Sequence, residues 1–130
     1  MPRISQRRTM WFDVPDDPLH GRVEIVHLED GEVTEIREQV WEMRNVFDAD
    51  SPAGFKSEQR YNPALDRELT ACRAVLNWEN FQDADGKPMA CTEANKKQWS
   101  RVKWFMEFVN ECREQLAKLV REERKTAAKN

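Results

Sequence analysis

The last third of the chain contains a long run without helix-breaking residues, and this run limits how the protein can fold. From Glu93 to about Lys125 no Pro or Gly occurs, and apolar residues recur at intervals of three and four, the spacing that lines one side of an α-helix. The main positions are Trp99, Val102, Met106, Val109, Leu116 and Val120, and Phe105, Phe108, Cys112 and Leu119 widen the stripe. The sequence therefore predicts a long amphipathic C-terminal helix.

This predicted helix is long for a chain of 130 residues. A straight helix of about 32 residues would measure about 48 Å, whereas a compact domain of this size has a radius of gyration of about 14 Å. Either the helix bends, with Ser100 to Lys103 as the expected place, or its end projects and its apolar stripe contacts another chain. Residues 121–130 lack apolar spacing and are expected to fray as a C-terminal tail.

The N-terminal part of the chain carries two runs that are typical of β-strands. Residues 9–14 are rich in strand formers and end before Pro15, and residues 22–28 alternate from Arg22 onwards. A turn with Pro18 and Gly21 lies between them. The two runs are predicted to pair as an antiparallel hairpin, at least one face of which rests on helices.

Two shorter helices are predicted between the hairpin and the long helix. The first covers residues 33–46, with Thr34 as its cap and an apolar side made by Ile36, Val40, Met43 and Phe47. Residues 48–61 show turn formers and no period, so they are predicted to be a flexible loop.

The second short helix is predicted over residues 63–77. Asn62 and Pro63 supply a cap and a first-turn proline, and Leu65, Leu69, Cys72 and Leu76 line one side. A turn over residues 80–88 follows, and Thr92 caps the next helix. Together these elements predict one α+β, mainly helical domain over residues 1–130, with an N-terminal β-hairpin and a long C-terminal helix that either bends or projects at its end.

Composition and charge exclude several classes of protein. No apolar run exceeds three residues, whereas a membrane span needs about 20, so a soluble cytoplasmic protein is expected. Residues 1–65 carry 8 Lys and Arg against 13 Asp and Glu, and residues 66–130 carry 13 against 11. The acidic first half argues against a dedicated nucleic-acid binder, which needs a clustered basic face.

No residue pattern predicts catalysis, a cofactor or a metal. The three cysteines lie 19 and 21 residues apart without a CxxC pair, so they are interpreted as reduced thiols at apolar positions. Asp83-Ala-Asp85-Gly86 resembles the start of a calcium loop but lacks its further ligands, and a tight turn is favoured. His20 and His27 have no nucleophile context.

The aromatic part of the long helix is the best candidate for a functional surface. Core packing is the default role of such residues, but the stripe is wide for so small a chain, and Trp is frequent in binding hot spots. The predicted protein-binding residues are Trp99, Trp104, Phe105, Phe108, Cys112 and Leu116. An alternative is a nucleic-acid-binding or regulatory role for the basic segment 96–104, which contains Lys96, Lys97, Arg101 and Lys103.

The residues Trp78-Glu79, Asp83, Gly86, Pro88 and Thr92 form a series around the second turn. This series resembles one found in the small tail assembly chaperones of long-tailed bacteriophages. In that family a helix commonly ends at a hydrophobic-x-W-D/E step, passes a D-x-x-G-x-P turn and resumes at a Ser/Thr-capped helix. The resemblance covers chiefly residues 65–110, while Met89-Ala90-Cys91 and the Trp-rich residues 99–108 depart from the pattern.

This resemblance implies a non-enzymatic factor in the host cytoplasm that coats the tape measure protein and recruits tail tube subunits. A wide apolar stripe with a charged back is compatible with shielding a helical client. A structural head or tail component of the virion is the second alternative, and a homo-oligomer is left open.

Overall fold

The structure is a computed structural model that describes residues 7–129. These residues form β1 (Thr9–Asp13), β2 (Arg22–Val26), α1 (Asp30–Val40), β3 (Trp41–Phe47), β4 (Phe55–Tyr61), α2 (Pro63–Ala74), β5 (Val75–Glu79), α3 (Glu93–Trp99) and α4 (Lys103–Lys129). The predicted α+β class, N-terminal hairpin and long C-terminal helix are confirmed. None of the described helices has both the length and the hydropathy that crossing a membrane requires.

A three-stranded antiparallel sheet in the order β1-β2-β5 forms the centre of the fold. Val23 and Ile25 of β2 are fully buried in the larger of two core clusters, which is closed mainly by α4. Val26 lies in the smaller cluster with Ile36 and Val40 of α1. The predicted hairpin therefore rests on helices, as a two-stranded ribbon requires for stability.

The long apolar run is divided into two helices, and the predicted bend is confirmed. Helix α3 ends at Trp99, α4 begins at Lys103, and residues 100–102 connect them. Ser100 is buried in the connection, where its Oγ donates a hydrogen bond to the carbonyl oxygen of Lys97. The break lets α4 lay a single apolar side, Phe105, Met106, Val109, Cys112, Leu116 and Val120, against the sheet.

The end of α4 is helical where the sequence predicted a frayed tail. Residues 121–129 continue the helix. Arg124 donates a hydrogen bond of 2.9 Å to Glu29, the residue that precedes α1, and Arg8 lies 3.4 Å from Glu123. These exposed pairs contribute little individually, yet they hold the last turns beside the N-terminal elements. Asn130, at the end of the predicted tail, lies outside the described residues.

The first short helix is shorter than predicted. Helix α1 ends at Val40, and residues 41–47 form β3, so Met43 and Phe47 lie on a strand and not on a helix. The helix begins at Asp30 after Glu29, so Thr34 is not its cap. Residues 55–61, inside the predicted loop, form β4, which leaves 48–54 as the connection. The apolar residues from Trp41 to Phe47 also fit a period of two, and that period prevails.

The second short helix also ends earlier than predicted, and a strand follows it. Asn62 caps α2 by accepting from the backbone N–H of Leu65, and Pro63 opens the helix, as predicted. The helix ends at Ala74, however, and residues 75–79 pair with β2 as β5. Pairing with β2 buries Val75 and Trp78 and leaves Leu76 on the exposed face. Tertiary pairing therefore overrides the helical spacing of this segment.

Phe105 is predicted to be a main determinant of stability, whereas its neighbour Trp104 is not. Phe105 is fully buried and Trp104 is 48% exposed. Phe105→Ala is expected to lower the free energy of unfolding by about 3–5 kcal/mol, and Trp104→Ala by about 1 kcal/mol. Urea unfolding followed by far-UV circular dichroism measures both changes. Equal losses would place Trp104 in the core.

Candidate interaction surfaces

Most of the tryptophans belong to one aromatic cluster that joins β5, the following turn, α3 and α4. Trp78 stacks on Phe81 with ring centroids 4.8 Å apart, and Trp99 packs at 5.0 Å from Phe81 and 5.4 Å from Phe105. The indole N–H of Trp78 donates a 2.6 Å hydrogen bond to the carbonyl oxygen of Met89. The cluster is thus part of the core, and the indole N–H of Trp78 has a hydrogen-bond acceptor there.

The six residues predicted to bind protein divide into three groups according to their burial. The side chains of Phe105, Cys112 and Leu116 are buried in the core and are not accessible to a partner in this fold. Trp99 and Phe108 are half-buried at the edge of the same cluster. Trp104 is exposed and packs on Trp99 with centroids 5.7 Å apart. A partner can therefore reach mainly Trp104.

Trp104 stands beside a groove, which we call the Trp104 groove. Its cavity of about 450 Å³ is lined by Val14, Pro15, Asp16, Asp17, Pro18, Leu19, Asn80, Phe81, Gln82, Asp83, Trp99 and Trp104. The floor is aromatic, Leu19 is 47% exposed at the rim, and the rim carries three aspartates. An apolar side chain flanked by cations fits such a groove.

The β1–β2 loop that forms one wall of the groove has a fixed conformation. The carboxylate of Asp17 accepts hydrogen bonds from the backbone N–H groups of Leu19 and Gly21 at 3.1 and 2.8 Å. A Cβ at Gly21 would lie 2.7 Å from a carboxylate oxygen of Asp17 and would displace that carboxylate. The side-chain amide of Asn80 donates to the carbonyl oxygen of His20 at 3.0 Å. The groove is therefore largely preformed.

Two of the four cations in the basic segment 96–104 lie beside carboxylates. Lys97 lies 3.8 Å from Glu93, and Lys103 lies 3.7 Å from Glu107. The ammonium group of Lys96 donates to the carbonyl oxygen of Cys72 at 3.5 Å. These contacts reduce the attraction of the segment for phosphates, which needs several uncompensated cations.

A second surface, which the sequence reasoning missed, is the antiparallel ribbon of β3 and β4. We call it the β3–β4 arm. Six of the seven β3 residues and all seven β4 residues are exposed. At its base, the backbone N–H of Asn62 donates to the carbonyl oxygen of Val40, and the Tyr61 hydroxyl donates to Asp66. The signal that could have found it is the alternation of charged and uncharged residues over 55–61.

The register of the arm separates its side chains into two faces. The uncharged face carries Trp41, Met43, Asn45, Phe47, Phe55, Ser57, Gln59 and Tyr61. The opposite, charged face carries Glu42, Arg44, Val46, Lys56, Glu58 and Arg60. Trp41 and Tyr61 pack with centroids 5.1 Å apart, and Lys56 lies 3.5 Å from Glu58. The arm is therefore amphipathic, with an apolar side that faces solvent.

Two cavities at the base of the arm are lined by cations. One of about 310 Å³ contains Arg37 and Arg113 beside Trp41 and Tyr61. A neighbouring cleft of about 590 Å³ shares Tyr61, Asp66, Thr70 and Arg113 with it and adds Arg67, Arg101, Lys103 and Glu107, among other residues. We call the two together the basal cleft.

Two titratable groups of the basal cleft are perturbed by their surroundings. Desolvation lowers the pKa of Arg113, and a hydrogen bond to Asp66 raises the pKa of Tyr61. Arg113 donates to the side-chain oxygen of Asn110, and neither it nor Arg37 forms an ion pair within the described residues. The cleft carries five cations, Arg37, Arg67, Arg101, Lys103 and Arg113, against the two carboxylates of Asp66 and Glu107. Because the cations are in excess, an anionic group is the complement of this cleft.

The acidic turn after β5 is accounted for by backbone hydrogen bonds. Asp83 accepts from the backbone N–H groups of Asp85 and Lys87 at 2.9 and 3.0 Å, and Gly86 adopts a positive φ of 78°. In the part of the chain that the structure describes, no group of three His, Cys, Asp or Glu residues is placed to hold a metal ion.

Comparison with known proteins gave no relative: no family model, no curated protein and no solved structure matches this chain.

Burial of Cys112 is predicted to make stability depend on alkaline pH. Desolvation raises the pKa of this thiol from 9.0 to about 12. The folded state thus holds the proton more tightly than the unfolded state, and the stabilisation is complete below pH 9 and lost as the pH approaches 12. Urea midpoints of wild type should fall more steeply over this range than those of Cys112→Ala. Parallel curves would contradict the prediction.

Proposed function

We propose that this chain is a non-enzymatic tail assembly chaperone, which binds the tape measure protein of a long-tailed phage and recruits tail tube subunits. The client is a long helical polypeptide, and its apolar side chains need cover before assembly. The observation that carries the proposal is Trp104, a large aromatic residue that stands 48% exposed beside a preformed groove with an aromatic floor.

The geometry of the Trp104 groove supports binding of a helix that carries both apolar and basic side chains. Phe81, Trp99 and Leu19 offer apolar contacts, and Asp16 and Asp17 offer charge for Lys or Arg on the flanks of the client. Such a surface matches the anatomy of hot spots, in which an aromatic anchor is surrounded by a polar rim. Its rigidity lowers the entropic cost of binding.

The motif residues lend partial support. The Asp83–Pro88 turn and the Thr92 cap occupy the places that the family resemblance implies, and Thr92 accepts from the N–H of Asn95. Trp78-Glu79, however, end the strand β5, where the family pattern has a helix end. The proposal therefore rests more on the surface than on the motif.

The first test is the genetic neighbourhood of the gene. A very long, helix-rich reading frame immediately downstream is expected. Its product should co-purify with this chain when the two are expressed together. Retention of this chain in purified virions would instead favour a structural component of the particle.

Trp104→Ala is predicted to weaken binding to that product, on the order of 30-fold for a hot-spot residue. Leu76→Ala is the matched control, because Leu76 is 46% exposed on β5 and lies outside the groove. Isothermal titration calorimetry measures both affinities, and circular dichroism checks the fold.

The salt dependence of binding separates this proposal from phosphate recognition. Between low and moderate salt the affinity for an apolar client should change little, whereas binding through phosphates weakens steeply. A steep loss, or equal effects of Trp104→Ala and Leu76→Ala, would contradict the proposal.

A further inference from the structure

We propose that the β3–β4 arm is the dimerisation element of this protein, and that its uncharged face packs on the same face of a second copy. The inference is independent of the proposed client, because the Trp104 groove and the arm share no residue.

The arm needs cover that the described residues of its own chain do not supply. Met43, Phe47 and Phe55 are 66%, 76% and 59% exposed, although they are among the most apolar residues of the chain. A two-stranded ribbon in water is at best marginally stable. An exposed apolar patch on such a ribbon marks an interaction site.

A second copy can cover this face, because two copies of the face are complementary to each other. Two arms related by a two-fold axis can lie antiparallel, so that the tip of one covers the base of the other. Phe47 and Phe55 near the tip then meet Trp41 and Tyr61 at the base of the second copy. Aromatic side chains lie at both ends of the uncharged face. The charged side chains of β3 and β4 lie on the opposite face, so this packing would bury none of them.

The same antiparallel arrangement is favoured by charge. The tip of the arm carries Asp48 and Asp50, and Asp50 is exposed. The base of the arm borders the basal cleft, in which cations outnumber the carboxylates of Asp66 and Glu107. Arg37 and Arg113 form no ion pair there among the described residues. An acidic tip that reaches the basic cleft of a second copy places opposite charges together at each end. A parallel arrangement would bring the acidic tips together.

The exposed apolar side chains of the arm supply more than half of the area that a standard interface buries. Five large apolar side chains, exposed between 42% and 76%, together offer on the order of 500 Å². A standard interface buries about 800 Å² on each partner. The rest comes from the polar residues at the middle of the face and from the contact between tip and basal cleft.

The central test measures the mass of the full chain in solution by sedimentation equilibrium over a range of concentrations. Wild type should be a dimer. Phe47→Glu should raise the dimer dissociation constant on the order of 100-fold, because it places a charge in an apolar interface. Leu76→Glu, which adds the same charge at an exposed apolar site outside the arm, should leave the dimer intact. Circular dichroism verifies the fold of each variant.

A charge exchange tests the proposed antiparallel orientation. Asp50→Lys should weaken the dimer by about tenfold, and the double variant Asp50→Lys with Arg37→Glu should recover most of that loss. A monomeric wild type, or a dimer that is unaffected by Phe47→Glu, would overturn the proposal. A double variant that is no stronger a dimer than Asp50→Lys alone would refute the docking of the tip in the basal cleft.

Discussion

Enclosure of Phe105 by Trp78, Phe81 and Trp99 is the interaction on which the architecture depends. These four rings come from α4, β5, the turn after β5 and α3, so their contact closes the C-terminal half of the chain. The contact requires α3 and α4 to change direction at residues 100–102, where Ser100 is buried and hydrogen-bonded. One continuous helix would carry Trp99 and Phe105 along the same rod and could not fold the first ring back over the second.

Sequence patterns predicted the elements whose signals are local. The caps at Asn62 and Thr92 and the turn at Asp83 to Pro88 follow from residues close in sequence. The bend after Trp99 was predicted instead from the length of the helix relative to the size of the domain. The strands β3, β4 and β5 were missed, because their pairing depends on partners distant along the chain or on a period of two that also fits a helix. Residues such as Met43 and Leu76 were therefore assigned to helical faces.

The candidate site was predictable only in part, for a related reason. A helical stripe reveals which residues share a side, but burial depends on what packs against that side. Phe105, Cys112 and Leu116 face the sheet, whereas Trp104 is one position away from Phe105, about 100° around the helix, and faces solvent. The stripe was interpreted as too wide for the chain to cover, and the structure covers most of it. Among the described residues, five of the nine large apolar side chains that are exposed lie instead on the arm.

The first turn of α4 connects the two surfaces. Lys103 lines the basal cleft beside Tyr61 of the arm, and Trp104, the next residue, lines the groove. Because successive helix residues point about 100° apart, the two surfaces adjoin without overlapping. The arm and the Trp104 groove share no residue. A dimer formed through the arms would therefore present two Trp104 grooves to the proposed client. Linked sites of this kind raise the effective affinity for a long polypeptide beyond that of either groove alone.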